Sequence, residues 1–150
     1  MQGLRYGEFA KADEYCDRVL DIEPKNARAY LGKLMAELRM SNLDATANQS
    51  RLGSVKVEGH RNFTKAMQFA DDELRTTLET YRETSIRCRQ EYYDKACSLT
   101  DEGKYTEAVD FFQKSLGYED AAQKVLRCLE LERERLEQEK AELEAQSFKA

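Results

Sequence analysis

The stretch "GEFAKADEYCDRVLDIEPKNARAY", from Gly7 to Tyr30, decides the predicted fold. Its apolar side chains recur at helical spacing, yet Ala12 and Cys16 stand where the largest core side chains are expected. Small residues on the apolar face of a helix let a second helix approach closely. Pro24 cannot continue a helix and therefore ends this one. The stretch thus predicts two helices in close contact.

The same pattern recurs near the other end of the chain. "GEFAKADEYCDRVLDIE" aligns without a gap with "GKYTEAVDFFQKSLGYE", residues 103–119. The alignment pairs Gly7 with Gly103, Phe9 with Tyr105, Ala12 with Ala108, Cys16 with Phe112, and Leu20 with Leu116. A weaker third copy, "NFTKAMQFADDEL", sets Phe63 and Ala66 in the same relation. Self-similarity of this kind predicts an array of helical repeats.

The repeated pattern and the trailing "DIEPKNARAY" resemble the tetratricopeptide repeat, a helix pair of about 34 residues. The resemblance implies that the glycine ends the first helix in a turn, the aromatic residue packs across the pair, and the alanine lies where the helices cross. The expected repeat-packing residues are Gly7, Phe9, Ala12, Pro24, Gly103, Tyr105, Ala108 and Phe112. The fullest copy covers 89–120. Bacterial proteins with a similar Leu-Gly-Tyr-x-Asp segment often carry such modules beside other domains, so we expect this chain to be part of a longer protein.

Composition favours an all-α protein, and the resemblance implies antiparallel helix pairs in a right-handed superhelix. The 150 residues are 41% hydrophobic and 35% charged, with one Pro and seven Gly. So few helix breakers leave little room for turns or strands, and the length suits a single domain over 1–150. The expected organisation is a repeat-like region 7–40, an irregular excursion 41–61, a repeat-like region 62–120 and a charged terminal helix 121–150. Residues 41–60 are polar and aperiodic, which predicts a mobile connection.

The middle of the chain departs from the repeat pattern. A short helix is expected over Phe63–Ala70. Beyond it, apolar residues keep a three-four spacing from Leu74 to Leu99, and no Gly or Pro interrupts 72–101. This spacing favours one long helix over two helices with a turn, although the pattern leaves both open.

The charged tail repeats Leu129, Leu136 and Leu143 at intervals of seven residues. A two-stranded coiled coil needs a second apolar position in each heptad, and Glu132 and Glu139 occupy the position three residues after a leucine. The sequence therefore favours a solvated helix held by charge pairs over a self-paired one.

No pattern of residues predicts catalysis, a metal site or a cofactor. The four cysteines form no CxxC pair, and His60 lies in a loop-like stretch away from them, so we expect free thiols. Carboxylates are frequent enough to pair by chance, and no phosphate-binding glycine loop is present. We therefore predict a protein that is not an enzyme and that binds no metal or cofactor.

The expected location and excluded partners follow from charge and hydropathy. A formal net charge of −5 argues against nucleic acid as a ligand, because that affinity comes from Lys and Arg on phosphates. No apolar run is long enough to span a membrane and no leader sequence is recognisable, which predicts a cytoplasmic protein.

The expected function is that of a protein-interaction or scaffold module. The carboxylate clamp known in the family needs Lys, Asn and Arg, which the matching positions here do not supply. The candidate partner surface is aromatic instead, and consists of Tyr30, Met35, Tyr92 and Tyr93. The alternative is a homo-oligomer. It would form through the terminal helix or through the apolar face at Phe9, because the few residues before Gly7 are too short for a covering helix. The other candidate to cover that face is an upstream helix of a longer chain.

Overall fold

The structure is a computed structural model that describes the backbone of residues 6–149 and the side chains of 7–148. Within these residues there are seven α-helices, one short 3₁₀ helix and no strand, which confirms the all-α prediction. The α-helices are α1 (Tyr6–Ile22), α2 (Ala27–Leu38), α3 (Gln49–Gly53), α4 (Arg61–Phe69), α5 (Asp72–Asp101), α6 (Tyr105–Lys114) and α7 (Ala121–Lys149), and the 3₁₀ helix is Val57–Gly59. None of these helices combines the length and apolar character needed to cross a membrane.

The chain divides into two compact units, 1–88 and 89–150, where the sequence predicted one domain over 1–150. Helix α5 is a single helix of 30 residues, which confirms the prediction of one long helix. Asp71 caps its N-terminus, since the Leu74 amide donates to Asp71 Oδ1 at 2.8 Å. The expected helix over Phe63–Ala70 is present as α4.

In the first unit, α1 and α2 form an antiparallel pair. The Arg39 guanidinium, just after α2, lies over the Phe9 ring near the start of α1, while Gly32 faces Cys16 further along. Beside the contact of Gly32 with Cys16, Lys33 Nζ donates to Asp13 Oδ1 at 3.0 Å and to Asp17 Oδ1 at 2.6 Å. The small residues of the opening stretch therefore do permit close approach. Pro24 lies in the turn, beyond the last residue of α1.

The expectation that the Phe9 face lies uncovered is wrong. Phe9 is 5% exposed, and Ala12, Cys16 and Val19 are half-buried. Helix α2 and the residue that follows it supply the cover, because the chain turns back on α1 after only four residues. The argument for a homodimer through this face therefore loses its premise.

Residues 41–61 are not the excursion that their polarity predicts. Leu52 and Val57 are 0% exposed and belong to the core of the first unit. Two side chains of α5 hold the segment: Tyr81 donates to the Leu43 carbonyl and Ser85 to the Val55 carbonyl, both at 2.7 Å. Two well-placed apolar residues and two hydrogen bonds thus outweigh the polar composition of the segment.

The second unit contains the end of α5, all of α6 and all of α7. Ala108 is 0% and Phe112 1% exposed at the centre of its core, and Tyr105 packs half-buried beside them. Gly103 has φ +78° and makes the turn before α6. Its counterpart Gly7 lies within α1 and does not have a left-handed φ. The two repeat copies therefore share helix packing but not the entry turn.

The charged terminal helix predicted over 121–150 is present as α7. Ala121 and Cys128 are buried against α5 and α6. From 133 to 148 every side chain is exposed. The described end of α7 is thus a solvated helix in this single chain.

Candidate functional site

A cleft of about 100 Å³ opens in the second unit, where the last turns of α5 meet α7. Thr100 Oγ1 of α5 lies 3.4 Å from Cys128 Sγ of α7, so the two helices are in direct contact at its base. The lining residues are Cys97, Thr100, Asp101, Phe112, Lys124, Arg127 and Cys128. The cleft combines an apolar floor with two cations at its rim, Lys124 and Arg127, and one carboxylate, Asp101.

Both rim cations have carboxylate partners that leave room for another. Lys124 Nζ lies 4.0 Å from Asp120 Oδ2, and Arg127 Nη1 lies 3.3 Å from Glu130 Oε1. The lysine and arginine side chains are 41% and 56% exposed. Exposed ion pairs of this kind contribute little, so exchanging one carboxylate for another costs little. The rim can therefore accept an anionic group from outside.

The thiols of the cleft are poorly suited to nucleophilic chemistry. Burial raises the pKa of Cys97, although nearby Lys124 opposes the shift. Because the thiolate is the reactive form, a raised pKa lowers reactivity at neutral pH. Cys128 is 1% exposed, and both sulfurs are free, as are those of Cys16 and Cys88. Among the described residues, no cluster of three or more His, Cys, Asp or Glu is placed to hold a metal ion.

The position of α7 beside the cleft is set by Tyr93. Its hydroxyl donates to the Asp120 carboxylate, and its ring makes edge contacts with Phe112 and Tyr118 at 5.5 and 5.4 Å. The hydrogen bond to Asp120, together with burial, raises the pKa of Tyr93. The Leu-Gly-Tyr-x-Asp segment therefore has a structural function: it fixes the turn that leads into α7, the helix that carries Lys124 and Arg127.

In comparisons with family models, curated proteins and solved structures, none matched the chain. Function must therefore be argued from the residues themselves.

The four residues of the predicted aromatic partner surface are divided between the two units and are half-buried. In the first unit, Tyr30 stacks on Phe69 at 6.1 Å and donates to the Pro24 carbonyl at 3.3 Å, while Met35 packs against the core. In the second unit, Tyr92 packs on Phe111 at 6.2 Å, and Tyr93 is bound as described above. Each of them has a packing role within its own unit.

Sequence reasoning missed Thr100, Lys124, Arg127 and Cys128. A signal was present, because Lys124 and Arg127 lie three residues apart and therefore share a helix face. If the residues after Asp120 are taken as the first helix of a further pair, Lys124 and Arg127 become candidates for its binding face. Their proximity to Thr100, however, depends on packing between segments distant in sequence.

Proposed function

We propose that the chain is a non-catalytic protein-interaction module built from tetratricopeptide-like helix pairs, and that its second unit binds an acidic segment of another protein. The observation that carries the proposal is the cleft between α5 and α7, with Lys124 and Arg127 at its rim. In the helical-repeat interpretation these are the first helices of successive pairs, whose shared side commonly forms a binding surface.

The size of the cleft suggests how much of a partner it holds. About 100 Å³ is room for one carboxyl-bearing group rather than for a whole helix. A glutamate side chain or a chain-terminal carboxylate would place its oxygens between Lys124 and Arg127. Its apolar stem would lie toward Phe112, which is 1% exposed at the floor. Arginine suits this role because its guanidinium can bind a carboxylate through two donors.

Two further features support an interaction role rather than catalysis. The half-buried thiol of the cleft, Cys97, has a raised pKa and therefore favours the unreactive protonated form. General acid-base catalysis is favoured by a carboxylate removed from solvent. Asp101 is exposed, so it lacks that environment. Four free thiols suit a reducing compartment, and we propose a cytoplasmic location on that ground.

Peptide binding tests the proposal. A fluorescent peptide rich in glutamate is titrated with the full chain and followed by anisotropy, beside a peptide with glutamine at the same positions. We expect the glutamate peptide alone to bind, with affinity that falls as salt rises. Arg127→Glu should weaken binding about tenfold or more.

Lys95→Glu is the matched control, since it makes the same charge change at an exposed position of α5 outside the cleft. It should leave the affinity within about threefold of the original. Equal losses in the two variants would mean that only net charge matters, and no binding of the glutamate peptide would refute the proposed cleft function.

A further inference from the structure

A row of leucines along α7 is exposed. The exposed fractions are 68% for Leu126, 53% for Leu129, 52% for Leu136 and 67% for Leu143. Residues seven apart lie on nearly the same side of a helix, so the last three form one stripe. Cys128, which faces the core, lies about 100° around the helix from Leu129. The leucine stripe therefore lies to one side of the face that α7 buries in its own unit.

The distal part of α7, residues 133–148, is stabilised by few side-chain interactions. Every side chain from 133 to 148 is exposed, and the ion pairs of Arg135 join residues of α7 itself. Arg135 binds Glu132 and Glu139 on neighbouring turns, both at 2.5 Å. Exposed intrahelical pairs contribute little, and most helix stability in proteins comes from tertiary packing, which these exposed side chains do not make. A partner that buried the leucines would therefore also stabilise the helix.

The leucine spacing defines a coiled-coil register. With Leu129, Leu136 and Leu143 at the d positions, Leu126, Arg133 and Lys140 fall at the a positions. The positions that border this seam on both sides, e and g, are Glu130, Glu137, Glu144, Glu132, Glu139 and Gln146. The stripe is thus an apolar and basic seam between two acidic edges.

These edges disfavour a second copy of the chain as the occupant. In a parallel pair, g faces e of the partner, which would set Glu132 against Glu137 and Glu139 against Glu144. In an antiparallel pair, e faces e and g faces g, which again sets glutamates against each other. Like charges at these positions act against self-pairing. Residues 129–146 also hold seven Glu against three Arg or Lys, so two copies repel.

We infer that this face docks an amphipathic helix of another protein that carries aliphatic residues along its core and Lys or Arg along both edges. The partner's edge cations would lie beside the glutamates at e and g. Its core positions opposite Arg133 and Lys140 would be polar or acidic. The leucine row supplies the buried area, and the charges select the partner. The leucines are not among the residues that line the cleft, although Glu130 at one edge pairs with Arg127 of its rim, and the inference goes beyond the function proposed above.

Two designed peptides of four heptads test the inference with the purified full chain. Both carry Leu at d and Asn at a; one has Lys and the other Glu at e and g. We expect the Lys-edged peptide to bind at least about tenfold more tightly by calorimetry, with a gain in helical circular dichroism and weaker binding at high salt. Equal affinities, a preference for the Glu-edged peptide, or no binding would overturn the inference.

Charge reversal on α7 separates the seam from general attraction. The double variant Glu137→Lys with Glu144→Lys should bind the Lys-edged peptide about tenfold more weakly and the Glu-edged peptide more tightly. The control Glu134→Lys with Glu142→Lys makes the same charge change on the side of the helix away from the seam, and should change affinity by less than about threefold. Equal effects in the two double variants would contradict a specific seam.

Sedimentation across a dilution series tests the rival occupant. A concentration-dependent dimer that Leu136→Ser abolishes would replace the basic helix with a second copy and overturn the inference. Leu136→Ser should leave the binding of the glutamate peptide to the cleft unchanged, so failure at α7 and failure at the cleft can be told apart.

Discussion

A Cβ atom placed on Gly53 would lie 2.8 Å from Cys88 Cβ and 2.9 Å from its sulfur. Gly53 ends α3, and Cys88 lies on α5, so this contact measures how closely the 41–61 segment approaches the long helix. Gly32 and Cys16 form a second close pair, with 2.5 Å between the added Cβ and the sulfur. The first unit therefore relies on glycine facing cysteine where two helices meet.

Gly53→Ala is expected to destabilise the protein by about 1–3 kcal/mol, because Cys88 Cβ is fixed to the backbone and cannot move aside. Gly32→Ala should cost about 1 kcal/mol or less, since the Cys16 sulfur can rotate to another rotamer. Urea unfolding measures both. Gly59→Ala is the control, because an added Cβ there meets no atom within 4 Å. Equal stability of the Gly53 and Gly59 variants would contradict the close approach.

Ala108→Leu is expected to destabilise the second unit by about 1–3 kcal/mol, because Ala108 is 0% exposed between helices and the added atoms must displace neighbours. Ala141→Leu adds the same atoms at an exposed position of α7 and should leave stability nearly unchanged. Thermal unfolding followed by circular dichroism compares the two. An unchanged melting temperature for Ala108→Leu would show that the helix crossing is not where the repeat alignment puts it.

Alkaline pH is expected to destabilise the first unit through Tyr81. Burial, with a smaller contribution from Asp44, raises the pKa of Tyr81 to about 12. Because the protonated form is favoured in the folded state, its stabilising effect is complete below about pH 10, the usual tyrosine pKa, and is lost as pH rises through 12. The measurement is the free energy of unfolding between pH 8 and the alkaline limit.

Tyr81→Phe should reduce the loss of unfolding free energy between pH 10 and the alkaline limit. It removes the hydrogen bond to the Leu43 carbonyl and is expected to cost about 0.5–1.5 kcal/mol near pH 7. Burial lowers the pKa of Lys33, but its hydrogen bonds to Asp17 and Asp13 outweigh burial and raise it, so some alkaline loss should remain. Parallel pH profiles for the original and the variant would rule out Tyr81 as the titrating group.

Limited trypsin digestion is expected to cut α7 first, at Arg133, Arg135 or Lys140. These sites lie where every side chain is exposed and where the ion pairs of Arg135 join residues of the same helix. Arg51 and Lys56 are exposed too, but each precedes a side chain that is 0% exposed, and cleavage there requires local unfolding of the core. Mass spectrometry of early fragments identifies the order. First cuts at Arg51 or Lys56 would restore the expectation of a mobile 41–61 segment.

The sequence by itself determined the helical character of the chain and the course of α5. Both depend on local properties: few helix breakers, a sustained three-four spacing, and Asp71 placed to cap the first turn. It also indicated close helix contact at Ala108, which is 0% exposed. Such features can be read from neighbouring residues because backbone hydrogen bonds in a helix link residues only four apart.

Tertiary structure alone decided how the polar 41–61 segment joins the core, what covers Phe9, and which residues line the cleft. Each depends on residues distant in sequence: Tyr81 reaches Leu43, Arg39 lies over Phe9, and Thr100 meets Cys128. For the 41–61 segment composition predicted the opposite, because it averages over a segment, and for Phe9 the repeat pattern predicted an uncovered face. A few apolar side chains at the right positions determine burial, and only the folded chain shows where those positions meet.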